Sequence, residues 1–417
     1  MSSPTARTTE APAGGATGSG TRPAPARRRR GVRSLVGLVV LLALLLVALA
    51  FPLYFGEFWL RTGFAVFGAI VGAIGLNLLV GNAGQLSLAH AFFLAVGATS
   101  YVYVSGEPGG LGVAELDGLG LPPLVGMVVG VLLAGLAGLI FSPIAARLRG
   151  IYLGVASLAL VFIGIHLLNT WTPVTGGFNG RAAPDFSLFG FTFGNTDPQL
   201  WVLGVPYREA ERLWYLGLVL AIGAYVFARN LLRSRPGRAM QTARDSEVAA
   251  AVMGVNVQGY KARIFMISSM YAGLSGVMLA LSIGSIAPES FGLELSILYL
   301  AMIVLGGLGS VGGAALGAAF VVALPLVFQR YADVVPFVGG PGEAGLAPGE
   351  AARFLFGVAI ILVILFEPAG LAGFAHRFRR RLTRPGGGTT TPPPPDSPEG
   401  STRPDPSDRP AQGSTTT

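Results

Sequence analysis

Apolar runs long enough to span a bilayer recur along this chain, and the segments between them hold nearly all of its charge. No other feature constrains the fold as much, because about 20 helical residues rising 1.5 Å each cross roughly 30 Å of hydrocarbon. The runs are Ser34–Tyr54, Phe58–Val80, Gln85–Val104, Leu121–Ala146, Ile151–Trp171, Leu213–Leu232, Ile264–Ile286 and Phe354–Phe366. The stretch Leu295–Phe328 is too long for one crossing, at about 50 Å if helical. It is interrupted by Gly306-Gly307-Leu308-Gly309-Ser310-Val311-Gly312-Gly313, and reads as two short segments, either full spans or a re-entrant hairpin. The expected fold is an all-α polytopic membrane protein with about 8–10 transmembrane helices.

Composition removes several function classes. Charged residues make up 12% of the chain, against about 25% for a soluble domain. The net charge of +8 comes from basic residues beside apolar runs, as the positive-inside rule requires, so it does not argue for nucleic acid. The absence of cysteine excludes thiolate metal sites, disulfides and cysteine nucleophiles. Lys261 is the only lysine and follows Tyr260, so the Gly-Lys-Ser/Thr of a phosphate-cradling loop is missing. The expectation is no cofactor on this chain; if ATP drives it, other subunits bind the ATP.

Residues 1–33 form a basic N-terminal tail too poor in apolar surface to fold, residues 34–373 the membrane domain, and residues 374–417 a basic and then low-complexity tail. The first apolar run is longer than a secretory leader needs and reads as an uncleaved span. Arg27–Arg33, Arg147 with Arg149, the island Arg233–Arg263 and Arg377–Arg384 fall on one side, while Glu107, Asp117, Asp185, Asp197, Glu289 and Glu294 fall on the other. Both termini are therefore expected in the cytoplasm.

Two polar stretches stand out. Within the loop 233–263, Arg238–Met253 has helical character, with Pro236-Gly237 breaking the chain before it and Gly254 a natural stop after it. Its acids Asp245 and Glu247 are unusual in a basic loop; it reads as a partner-docking helix or as an amphipathic helix on lipid. The second stretch brings Asn77, Asn82, Gln85, Ser87 and His90 to a Gly-rich junction between two runs. These line a translocation path or make a tight turn at the membrane surface. The pairs Gly68/Gly72, Gly126/Gly130 and Gly313/Gly317 have the spacing of close helix crossings. His90 and His166 have no ligand partner at metal-binding spacing.

The stretch GLNLLVGNAGQLSLAHAFFLAVGA, with RLRGIYLGVASLAL, TGGFNG, GRAMQTARDSEVAAAVMGVNVQGYKARIF, SILYLAMIVLGGLGSVGGAALGA and FLFGVAIILVILFEPAGLAG in that order, resembles the permease subunits of branched-chain amino acid ABC importers, M-type above all. The resemblance covers most of residues 58–373. It implies a cytoplasmic coupling helix near Ala243–Gly254 that sits on an ATP-binding subunit, with Arg244, Asp245, Glu247, Ala250 and Gly254 at the positions that carry over. The spacing departs from the generic Glu-Ala-Ala-x-x-x-Gly pattern, since Val248 follows Glu247 and Gly254 comes one residue late. It further implies a second permease subunit, two ATP-binding subunits, an extracytoplasmic substrate-binding protein and a place in the bacterial inner membrane. Thr172–Glu211 is then either a docking face for the binding protein or a connecting loop. Relatives of the family carry urea, short amides or other amino acids. An ion-coupled secondary transporter would need carboxylates inside the membrane, whereas Glu57, Glu294 and Glu367 all fall near run ends. A membrane scaffold with no transport role leaves the Asn77–His90 polar cluster unexplained.

Overall fold

The computed structural model describes residues 42–43, 45–108, 117–148, 150–194, 200–202 and 205–331, with scattered positions between 351 and 373. Within them, uncharged apolar runs wind into helices, because an intra-segment ladder is the only economical way to satisfy backbone groups away from water. The helices are α1 (Leu45–Tyr54), α2 (Glu57–Asn77), α3 (His90–Ser105), α4 (Pro123–Arg147), α5 (Ile151–Thr170), the single turn α6 (Thr172–Thr175), α7 (Glu209–Arg233), α8 (Arg235–Asp245), α9 (Glu247–Val252), α10 (Val257–Ile283), α11 (Leu293–Gly306) and α12 (Val311–Arg330). Among the described residues, six helices are long and apolar enough to cross a membrane: α2 with its π-helical extension to Asn82, α4, α5, α7, α10 and α12. The chain is an all-α polytopic membrane protein. The tails at 1–33 and 374–417, and six of the thirteen residues of the Phe354–Phe366 run, lie outside the described residues.

Three expectations need correction. The run Gln85–Val104 is helical only from His90; Gln85–Ala89 has no regular structure. The island ends early, because the Asn256 side chain accepts from Gly259 N at 2.9 Å and starts α10 at Val257. The long run Leu295–Phe328 is two helices, as expected, but unequal ones. The 14 residues of α11 reach about 21 Å, so α11 does not cross the hydrocarbon alone.

Of the six long helices, α2 and α10 are the most enclosed, while α4, α5, α7 and α12 present much of their surface outward, including exposed Leu132, Ile140, Phe162 and Val219. Backbone contact through glycine sets how closely the central helices approach. A Cβ on Gly97 of α3 would stand 2.4 Å from the Gly273 Cα of α10, and one on Gly130 of α4 would stand 2.7 Å from Gly97 O. A Cβ on Gly276 would lie 2.0 Å from Leu94 O. The three sequence pairs behave alike and pack inside this subunit: Gly72 meets Tyr299 and Ser275, Gly126 meets Ser105, and Gly317 meets the Met302 carbonyl.

At the end opposite the basic loop, two buried arginines organise the connecting segments. The Arg181 guanidinium donates to the carbonyls of Asp117, Glu107 and Val174. Burial lowers its pKa below the ordinary value, with Asp117 working the other way. Arg212 donates to the carbonyls of Tyr207, Thr192 and Gly194 and lies 5.0 Å over the Phe191 ring. Residues Arg181–Ala182 pair antiparallel with Ser285–Ile286, which fixes the exit of α10 to this layer.

Overpacking costs roughly 1–3 kcal/mol where side chains can yield, and at Gly276 a backbone carbonyl stands in the way. Gly276→Leu should therefore abolish recovery of monodisperse protein in detergent size-exclusion chromatography. Gly223→Leu should leave it at the wild-type level, since a Cβ at Gly223 meets nothing within 4 Å. Equal behaviour of the two variants would refute this account of the crossing.

Candidate functional site

The five polar residues of the Gly-rich junction come together at a break inside the bundle. Helix α2 loosens at its end into a π-helical turn, Leu78–Asn82, and then stops; Gly84 adopts φ +68°, which a side chain rarely tolerates. The chain runs irregularly to Ala89 before α3 begins. Asn77, Asn82, Gln85, Ser87 and His90 are all exposed by 4% or less. A surface turn would leave such side chains in water, so the arrangement is a broken helix within the bundle.

Irregular backbone at that depth needs partners, and side chains far along the sequence supply them. Leu88 N donates to Ser157 Oγ of α5 at 2.8 Å, and Ala91 N donates to Ser296 Oγ of α11 at 2.9 Å. Ala89 N donates to Ser87 Oγ, and Asn82 Nδ2 donates to the Asn77 carbonyl at 3.1 Å. The sequence reading had not singled out Ser157 or Ser296; isolated serines in apolar runs are the signal that points to them.

A second break faces the first. Gly307–Ser310 separates α11 from α12, with Gly307 at φ +108° and Gly309 at φ +82°. Gly309 N donates to Asn77 Oδ1 at 2.9 Å. A Cβ on Gly81 would stand 2.4 Å from that same nitrogen, so the two breaks touch through backbone. Deeper in the bundle, the His90 ring lies 4.8 Å from the Tyr299 ring. Tyr299 Oη and Ser275 Oγ are 2.8 Å apart, and Ser275 Oγ donates to the Gly68 carbonyl. Among the described residues, Asn77 Nδ2, both amide atoms of Gln85 and His90 Nε2 are buried without a hydrogen-bond partner. An unsatisfied buried group costs about 1–3 kcal/mol, so this seam holds polar capacity that packing alone does not explain. An apolar cavity of about 360 Å³ between α3 and α5, lined in part by Phe92, Thr99, Tyr103 and Trp171, takes in none of the five junction residues.

The basic loop lies directly against the seam. The expected single helix over Arg238–Met253 is two helices, α8 and α9. Ser246 separates them in an extended conformation, its side chain accepting from Ala249 N at 3.2 Å to start α9. Pro236-Gly237 sits inside the first turn of α8 rather than before it, a position where proline costs no hydrogen bond. Gly254 stops α9 as expected, at φ +80°, with Val255 N donating to Ala250 O and Gly254 N to Ala251 O in a Schellman closure.

The five positions that the resemblance assigns to coupling separate in space. Ala250 is fully buried and Asp245 is exposed. Glu247 pairs with Lys261 at 2.7 Å, tying α9 to α10. Arg244 is exposed, yet its Nη1 donates to the Gly81 carbonyl at the first break. Outward from α9 stand Val248, Val252 and Met253, which are 76%, 83% and 77% exposed. Sequence reasoning missed this bare apolar face because it counts apolar residues toward the core.

Comparison with known proteins identifies the family of the chain. The family model described as "Branched-chain amino acid transport system / permease component" matches residues 58–364. The chain is 29% identical over 345 residues to the high-affinity branched-chain amino acid transport system permease protein LivM of Salmonella typhimurium, covering 79% of this chain and 74% of that one. LivM of Escherichia coli gives the same figures. LivH of Escherichia coli is 25% identical over 308 residues, 72% of this chain and 90% of the relative. No solved structure is matched. A polytopic helical bundle with a match over residues 58–364 belongs to the branched-chain amino acid transport permease family.

Proposed function

We propose that this chain is one half of the translocation path of an ATP-binding-cassette importer for branched-chain amino acids. It pairs with a second permease subunit. Two ATP-binding subunits dock on the basic loop, and an extracytoplasmic binding protein delivers substrate at the opposite end. The observation that carries this reading is the contact between loop and seam: a solvent-facing lever lies against a buried polar break. The basic loop and both termini belong in the cytoplasm by the charge asymmetry, in a bacterial inner membrane. The chain itself holds no cofactor; ATP is bound and hydrolysed on its partners.

In this reading Asn77, Asn82, Gln85, Ser87 and His90 lie along the path in its closed form. Their unpartnered amide and imidazole atoms suit the ammonium and carboxylate of an amino acid, and parting the two breaks would expose them. Alternating access then needs one bistable element, the facing pair of breaks, biased by the loop. Of the coupling set, Asp245 faces solvent, while Glu247, Ala250 and Gly254 hold α9 in shape. The face that meets the ATP-binding subunit is Val248, Val252 and Met253 together with Asp245. Ion coupling gains no support from Glu57, which pairs with Arg61 at 2.7 Å at the start of α2.

Expressed with the neighbouring transport genes, the wild-type chain should co-purify with a second permease and an ATP-binding subunit. Val252→Asp should lose the ATP-binding subunit by about tenfold or more, equivalent to 1.4 kcal/mol, while keeping the second permease. Retention of both at wild-type levels would remove α9 from the docking surface. In proteoliposomes of the assembled complex, Asn77→Leu should cut leucine uptake by about tenfold with ATP-binding subunits still attached. Undiminished uptake would show that the Asn77–Gly309 bond plays no part in the path.

A further inference from the structure

Arg244 occupies a setting that surface docking does not explain. It stands in the last turn of α8, and although the residue is exposed its guanidinium donates to the Gly81 carbonyl. That carbonyl belongs to the π-helical end of the broken helix, where no following turn supplies an amide. A cation at a helix C-terminus also gains from the partial negative charge there. Two glycines clear its way. Gly84, at φ +68°, leaves room for the side-chain stem, since a Cβ there would lie 3.2 Å from Arg244 Cγ. Gly309, at φ +82°, brings the second break within reach: a Cβ there would lie 3.7 Å from Arg244 Nη1 and 3.4 Å from the Gly81 carbonyl. The same Gly309 is bonded to Asn77. Nearby, Glu247 is engaged with Lys261 on α10, so the loop has a separate tie to the far helix.

We propose that Arg244 is the positioning residue that fastens the basic loop to the first helix break, which the Asn77–Gly309 bond joins to the second. Displacement of α8 reaches the seam through the Gly81 carbonyl, and the fastening holds in both states of the cycle. The proposal rests on reading the loop as the importer's lever. It assigns Arg244 a different task from its neighbours: Asp245 and the bare face of α9 meet the partner, and Arg244 carries the motion inward.

The test uses the complete complex in proteoliposomes, measuring subunit recovery, ATP hydrolysis and uptake of radiolabelled leucine. Arg244→Ala should keep the ATP-binding subunits and their hydrolysis, while leucine moved per ATP falls about tenfold, within the range of ordinary coupling free energies. Arg244→Lys supplies the second arm, because its ammonium keeps the charge and a donor for the Gly81 carbonyl. It should regain part of the leucine moved per ATP that Arg244→Ala loses. Wild-type uptake in Arg244→Ala, loss of the ATP-binding subunits from that variant, or an Arg244→Lys no better coupled than Arg244→Ala would each overturn the latch. A wild-type chain that recovers no ATP-binding subunit would overturn the importer reading itself, and the latch with it.

Discussion

A backbone amide without a partner in hydrocarbon costs several kcal/mol, and the arrangement of this bundle follows from how that cost is avoided at one place. Between Asn82 and His90 the chain leaves helical geometry inside the protein, so the ladder that serves every other span is interrupted. Ser157 on α5, Ser296 on α11 and Ser87 within the break stand in for the missing carbonyls. Those bonds require α5 and α11 to lie beside the start of α3. Asn77 then fastens the Gly307–Ser310 break against the first. The irregular segment thus dictates its neighbours, and the regular helices fill the remaining space.

Glycine gives the bundle the closeness that these bonds need. Gly97, Gly130, Gly273 and Gly276 allow α3, α4 and α10 to meet backbone to backbone, where dispersion and weak hydrogen bonds act at short range without help from a hydrophobic driving force. The scaffold around the seam is therefore stiff. The basic loop is built differently: α9 has six residues, a capping serine, a Schellman closure and one partly buried ion pair to α10. Stiff packing on one side and a small, independently capped helix on the other suit a rigid element moved by a lever.

Much of this was legible in the chain. Apolar periodicity and length located the spans at Phe58–Val80, Leu121–Ala146 and Ile151–Trp171 to within a few residues of α2, α4 and α5, because a bilayer leaves few alternatives. Glycine's left-handed preference marked Gly254, and the density of polar side chains marked Asn77–His90. The break at Gln85–Ala89 was not legible, since Leu86, Leu88 and Ala89 continue an apolar run and the groups that stabilise the irregular backbone come from α5 and α11. The division between α8 and α9 escaped notice because Ser246 is neutral inside a helix and strong only as a cap. The bond from Arg244 reaches a carbonyl 163 positions away, which no local pattern encodes.

The bare face of α9 also bears on how such a subunit fares while alone. Val248, Val252 and Met253 stand largely uncovered on a loop that also carries Arg233, Arg235, Arg238 and Arg244. A patch like this is adhesive wherever it is uncovered, including toward other copies of the same chain. The ratio in which the cell makes this subunit and whatever covers that face then becomes a matter of solubility: an excess of the permease would expose sticky loops in the membrane, and balanced synthesis would hide them.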